Sequence, residues 1–205
     1  MSHPERILGI DRTALESLHG GPLPNGFIPD IPLHRIIEQS EFRVRDSVES
    51  DPSFKQIIPY VVFRFRSSER LFFFAYARGK SGAESRLHSL LSLGLGGHVE
   101  ESDFPDSIIS IFGYQQALWR ELSEEVNSVE PFHPSISLGL INDDSNPVGS
   151  VHLGIFHVVS LNSPTLWGAE IAIASPRFLG VELLLAMSDQ FESWSKILID
   201  SGRLK

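Results

Sequence analysis

Only one local structure satisfies both the apolar and the acidic residues between positions 114 and 126: an α-helix with two chemically different faces. Leu118, Leu122 and Val126 recur every four residues, a spacing that lines one side of a helix and buries it against a core. Glu121, Glu124 and Glu125 fall off that stripe and, at i, i+3 and i+4, share a face of their own. Three carboxylates within about 6 Å repel one another unless a positive charge offsets them. Hard divalent cations such as Mg²⁺ prefer oxygen donors of this kind. Arg120, four residues before Glu124, is placed to orient it through an ion pair. A solvated acidic face has the same local pattern, so the surrounding sequence has to decide.

Upstream lies Leu93-Gly94-Leu95-Gly96-Gly97-His98-Val99-Glu100, where adjacent glycines let the backbone pass close to a ligand or another chain segment. A glycine turn followed by a carboxylate-rich helix resembles the signature of the Nudix hydrolase superfamily. There a glycine and an acid are separated by five residues, and Arg-Glu, an aliphatic residue, any residue and Glu-Glu follow after seven more. Gly97 matches the glycine, Asp103 stands at the first acid, and Arg120, Glu121, Leu122, Glu124 and Glu125 match the second half without a gap. Three positions depart. Residues 104–119 separate Asp103 from Arg120, which is 16 residues and nine more than usual. Asn127 replaces the following glycine and, as the next-best residue for a left-handed helix end, is expected to preserve that turn. Ser128 replaces the closing aliphatic residue.

The resemblance implies an α/β fold, a Nudix-like α/β/α sandwich with a central mixed β-sheet. It implies that Glu121 and Glu125 bind Mg²⁺ or Mn²⁺ directly, with the Gly96 carbonyl as a further donor. Glu124 would act through a bound water or as a base, and Arg120 would hold the glutamates in place. Asp103, Glu170 and Asp144 are candidates for an additional acid. The implied reaction is hydrolysis of a diphosphate linked to another group, a nucleoside diphosphate derivative being the expected substrate. Analogy also suggests a homodimer. A non-catalytic Nudix module that binds a nucleotide metabolite is the alternative from another class, although such modules commonly lose helix glutamates that are present here. Isopentenyl-diphosphate isomerases share the Gly-Gly-His turn and the added length, but they use an active-site cysteine and this chain has none.

Absence of cysteine also removes disulfides and thiolate metal sites. A net charge of −9 argues against broad nucleic-acid binding. The charge is uneven, however: between Arg64 and Arg86 six basic residues, among them Arg64, Arg66, Arg78 and Arg86, face two acids, so these arginines are candidates for substrate phosphates. No apolar run approaches the roughly 20 residues that span a bilayer, and the start reads as no signal peptide, so a cytoplasmic location without membrane attachment is expected.

The length suits a single domain, 1–205, with an N-terminal extension over 1–55, a core over 56–175 and C-terminal helices over 176–205. Within the extension, Ile7 to Ile10 reads as a strand and Asp11 as the cap of a short helix. Strands over 57–66 and 71–77 are joined by so short a link that they predict an antiparallel hairpin. Gly113 marks a boundary before the acidic helix. Further strands are expected over 137–142 and 148–161, and helices over 176–187 and 188–199. His152 and His157, five apart on one strand, point to opposite sides and cannot share a metal; both read as structural or surface residues, as His98 does in its loop.

Overall fold

The computed structural model describes residues 4–78, 90–128, 131–134, 137–169 and 173–204. The class is mixed α/β. The N-terminal elements are β1 (Arg6–Asp11), α1 (Arg12–His19), β2 (Gly26–Ile28), α2 (Leu33–Glu38), β3 (Ser40–Val44) and α3 (Arg45–Val48). The strands β4 (Phe54–Ser67), β5 (Arg70–Arg78), β6 (Leu91–Ser92) and β7 (Gly94–Leu95) come next, then the acidic helix α4 (Ile111–Glu125) and β8 (Val126–Ser128). After them come β9 (Gly139–Asn142), α5 (Pro147–Val151), β10 (His152–Leu161), β11 (Leu166–Gly168) and β12 (Ile173–Gly180). Helices α6 (Val181–Ala186) and α7 (Ser193–Asp200) close the chain. Among the described residues no helix is long and apolar enough to cross a membrane.

The chain divides into two compact units. The first comprises Met1–Tyr60, Gly96–Glu121 and Ser137–Phe156. In it β1 pairs antiparallel with β3, Leu8 opposite Phe42, and with the start of β4, Gly9 opposite Gln56. Strand β9 pairs antiparallel with both β10 and β2. Ile7, Leu8, Ile10, Leu15, Phe54, Ile141 and Leu153 are fully buried. Residues of the 1–55 stretch therefore supply part of this unit's core.

Lys55 is also fully buried. Its Nζ donates to Asp144 Oδ1 at 2.6 Å, to the Gly149 carbonyl at 2.8 Å and to the His152 carbonyl at 3.3 Å. Arg12 adds a two-pronged bond to the same carboxylate, at 2.9 and 2.8 Å. Burial lowers the Lys55 pKa, while the hydrogen bonds from Arg12 hold Asp144 well below the usual carboxylate range. Asp144→Ala, which strands the buried ammonium, is expected to lower stability by about 2 kcal/mol, read as a fall in thermal midpoint.

The second unit comprises Val61–Leu95, Leu122–Ile136 and His157–Lys205. The expected hairpin is present: Phe65 of β4 lies opposite Phe72 of β5. The rings of Phe65 and Phe72 stack at 5.1 Å, and Phe178 from β12 meets Phe65 edge-on at 5.0 Å. The Glu192 carboxylate caps α7 by accepting from the Trp194 and Ser195 amides, each at 2.9 Å. Ser195 Oγ in turn accepts from the Leu93 amide at 2.8 Å, pinning the strand segment between β6 and β7.

Four expectations need correction. The 148–161 stretch is not one strand: Asn146 caps α5 through the Gly149 amide at 2.9 Å, Pro147 occupies its first turn, and β10 starts only at His152. The 176–187 stretch is helical only over Val181–Ala186, because Ile173–Gly180 pairs with β5. That strand's register shifts between Ala174 and Arg177, with Ser175 at φ 50°, which accommodates a proline that cannot donate to a regular ladder. The 188–199 stretch opens as a 3₁₀ turn, and α7 begins only at Ser193. Gly113 lies inside α4, where a side chain would collide with the Phe104 ring packed against it.

Candidate active site

The glycine turn is shaped by close approach on two sides. Gly96 sits at φ 139°, in the region that favours glycine, and a Cβ there would land on the Pro59 carbonyl. A Cβ on Gly97 would land on the Glu121 carboxylate. Backbone and carboxylate therefore abut with no room for a methyl group between them. Gly97→Ala is expected to push Glu121 out of its seat and reduce turnover at least about tenfold, with the two proteins compared under identical metal concentrations.

Arg120 locks the second side. Its Nε and Nη2 donate to the two oxygens of Asp103 at 2.8 and 2.9 Å. Nη1 donates to Glu121 Oε1 at 2.7 Å, and Nη2 also reaches the His98 carbonyl at 2.9 Å. Fork geometry of this kind is what a planar guanidinium offers and an ammonium does not. The Asp103 hydrogen bonds raise the Arg120 pKa well above its ordinary value. Asp103 itself is held by a reciprocal cap: its carboxylate accepts from the Glu100 amide at 2.9 Å across a 3₁₀ turn over Glu101–Asp103. The long 104–119 separation does not keep Asp103 from this arginine.

Helix α4 continues without a break through Glu124 to Glu125. It passes directly into β8, where Asn127 lies opposite Trp167 of β11, so the expected left-handed end at Asn127 is not formed. The Glu125 carbonyl, which a helix terminus would leave without an intrahelical donor, accepts instead from the Ala169 amide at 2.8 Å. Leu118, Leu122 and Val126 are buried as their spacing predicts, while Glu124 is exposed and Glu121 and Glu125 are half-buried. Among the described residues no three acidic or histidine side chains lie close enough together to hold a cation between them. Glu121 occupies a cradle that a Cβ at 97 would fill, and its carboxylate oxygens are the donor type that a hard cation prefers.

The other candidates are placed differently. Asp144 is taken up by Arg12 and Lys55. Arg64 is half-buried and donates to Ser160 Oγ at 3.2 Å, and Arg66 is exposed further along β4. Glu170, Arg86 and the side chain of Arg78 lie outside the described residues.

One pair escaped the sequence reading. His98 Nε2 lies 3.3 Å from His152 Nε2 and 2.8 Å from Gln56 Oε1. Residues 54 positions apart carry no spacing signal that could join them. Burial, then the charges of Arg45, His152 and Arg120, push the His98 pKa down to about 3. An unfolded chain takes up this proton near pH 6.5, so below that value it binds more protons than the folded one and stability declines with pH. At pH 5 the loss is expected to be about 2 kcal/mol relative to neutral pH, and His98→Gln should flatten the dependence of thermal midpoint on pH.

A mixed α/β chain in which an arginine ties a glycine turn to an acidic helix has the arrangement expected of the Nudix superfamily. No family model matches the chain. It is 37% identical over 164 residues to Protein YmaB of Bacillus subtilis (strain 168), covering 76% of this chain and 75% of that protein. It is also similar to the crystal structure of Tm1382, a proposed Nudix hydrolase, at 28% identity and a TM-score of 0.75, covering 96% of this chain and 97% of that one. The chain belongs to the Nudix hydrolase superfamily, in the family of YmaB.

Proposed function

We propose that this protein is a metal-dependent hydrolase that cleaves a phosphoanhydride bond in a diphosphate linked to another moiety, with nucleoside diphosphate derivatives as the substrate class. The observation that carries the reading is the seating of the Glu121 carboxylate between Gly97 and Arg120. A carboxylate held this firmly, and buried except for a small part of its surface, is preorganised to grip a cation.

Glu121 and Glu125 would hold Mg²⁺ or Mn²⁺, with the Gly96 carbonyl as a further donor and Glu124 acting through water. When bound, the metal screens the diphosphate oxygens and lowers the pKa of coordinated water. The chain's own work is positioning. Arg120 keeps Glu121 oriented and its charge balanced, and Asp103 keeps Arg120 from swinging toward substrate. Glu124, exposed at the same helical turn, is the group to accept a proton from the attacking water. Arg64 and Arg66 are candidates to neutralise the departing phosphate.

The test is phosphate release from a panel of diphosphates with Mg²⁺ or Mn²⁺, comparing the native chain with Glu125→Gln. Metal-dependent turnover that the variant loses supports the hydrolase. Tight binding of a nucleotide without turnover replaces it with the non-catalytic module.

A further inference from the structure

We propose that His98, anchored by Gln56 and His152, is a positioning residue that fixes the glycine turn against Glu121. This role rests on the metal-dependent reading above and adds a determinant outside the signature residues.

Two consecutive glycines make the turn the most permissive stretch of backbone near the helix, because glycine gives up more conformational freedom on ordering than any other residue. Close approach sets where Gly96 and Gly97 fit. The next residue adds directional bonds of its own. Its carbonyl accepts from Arg120 Nη2 at 2.9 Å, and its ring reaches the fully buried Gln56 on β4. Gln56 and Pro59, three residues apart on one strand, thus address the turn twice: Pro59 against Gly96 and Gln56 through His98. Beyond it, the Val99 carbonyl accepts from the Leu8 amide at 2.7 Å, joining the turn to β1.

The hydrogens of the pair can be assigned from the network. His152 Nδ1 lies 2.8 Å from the Val148 carbonyl, which can only accept, so that nitrogen carries the proton and Nε2 of a neutral ring presents a lone pair. Gln56 Nε2 donates to the Val48 carbonyl at 3.2 Å, which leaves its Oε1 as the acceptor. His98 Nε2 faces both acceptors and therefore bears the hydrogen. One N–H shared between an amide oxygen and an imidazole nitrogen holds the ring in a single orientation. An apolar filler of equal size would occupy the space without fixing that orientation. Groups that orient metal-binding residues from behind typically contribute 10–100-fold in metal affinity or activity.

The experiment compares the native chain with His98→Phe, which keeps the volume and loses the donor, and with His98→Gln, whose amide nitrogen reaches nearly the same point. Mn²⁺ uptake is measured by calorimetry, amide exchange over 94–100 by mass spectrometry, and kcat and KM with a diphosphate substrate. His98→Phe is expected to weaken Mn²⁺ binding about tenfold and to lower kcat, with KM for the diphosphate moving less than about twofold. Exchange over the turn should accelerate, and His98→Gln should restore all three readouts to near native. If His98→Phe does not fold, His152→Phe, which strips the second acceptor, replaces it and must weaken Mn²⁺ binding in the same direction. Glu125→Gln separates the two readings. If that variant loses Mn²⁺ while His98→Phe or its substitute binds as natively, the positioning role is overturned and the hydrolase stands. If even the native chain takes up no Mn²⁺, both fall together.

Discussion

Glu121→Gln is expected to reduce metal-dependent phosphate release by about a hundredfold or more while leaving the thermal midpoint within a few degrees of native. Groups that merely orient metal-binding residues contribute 10–100-fold, so loss of a proposed direct donor should cost at least the upper figure. The fold should tolerate the change because the new amide oxygen can still accept from Arg120, and Asp103 keeps that guanidinium in place. A steady-state assay across a range of Mn²⁺ concentrations separates the causes. If saturating metal restores native kcat, Glu121 contributes affinity alone. If turnover stays near native at every concentration, the proposed direct role is wrong.

The second large effect concerns stability. Arg120→Met removes the partner of two acids whose side chains are only 6% and 15% exposed, Asp103 and Glu121. Leaving charges in such surroundings without a counter-charge costs far more than an exposed ion pair contributes. A loss of about 3 kcal/mol is expected, read from chemical denaturation. Arg120→Lys should recover only part of it, since an ammonium cannot make the two-pronged bond to Asp103. In the double variant Arg120→Met with Asp103→Asn the penalties should fall short of additive, because the second change removes the charge that the first left buried without a counter-charge. Fully additive losses would mean that the pair contributes little beyond its separate members.

The acidic helix was legible because two independent patterns, an apolar stripe and a carboxylate face, required the same period of about 3.6 residues. Its partner Asp103 could be named from the motif, but its contact with Arg120 could not be derived across 16 intervening residues, since sequence separation says nothing about how a loop returns. The hairpin of β4 and β5 was equally readable, from two apolar strands and a short link. Helix α5 was missed although its signals were present in Asn146 and Pro147, because the β-branched and apolar residues after them resembled one long strand. The 176–180 end of strand β12 reads as helix because Pro176 and the leucines after it fit a helix start, while the bulge that accommodates the proline is created by pairing with β5. His152 illustrates the limit most plainly: its importance lies in a neighbour 54 residues away.

The ring of Phe104 bears on how the enlarged spacing before Arg120 should be regarded. It is buried, packs edge-on against Phe42 at 5.0 Å and occupies the space that Gly113 leaves open on the helix. Trimming residues 104–112 to the commoner length would therefore remove a wedge from the foundations of the acidic helix. The added residues thus serve as a support under the acidic helix rather than an ornament beside it.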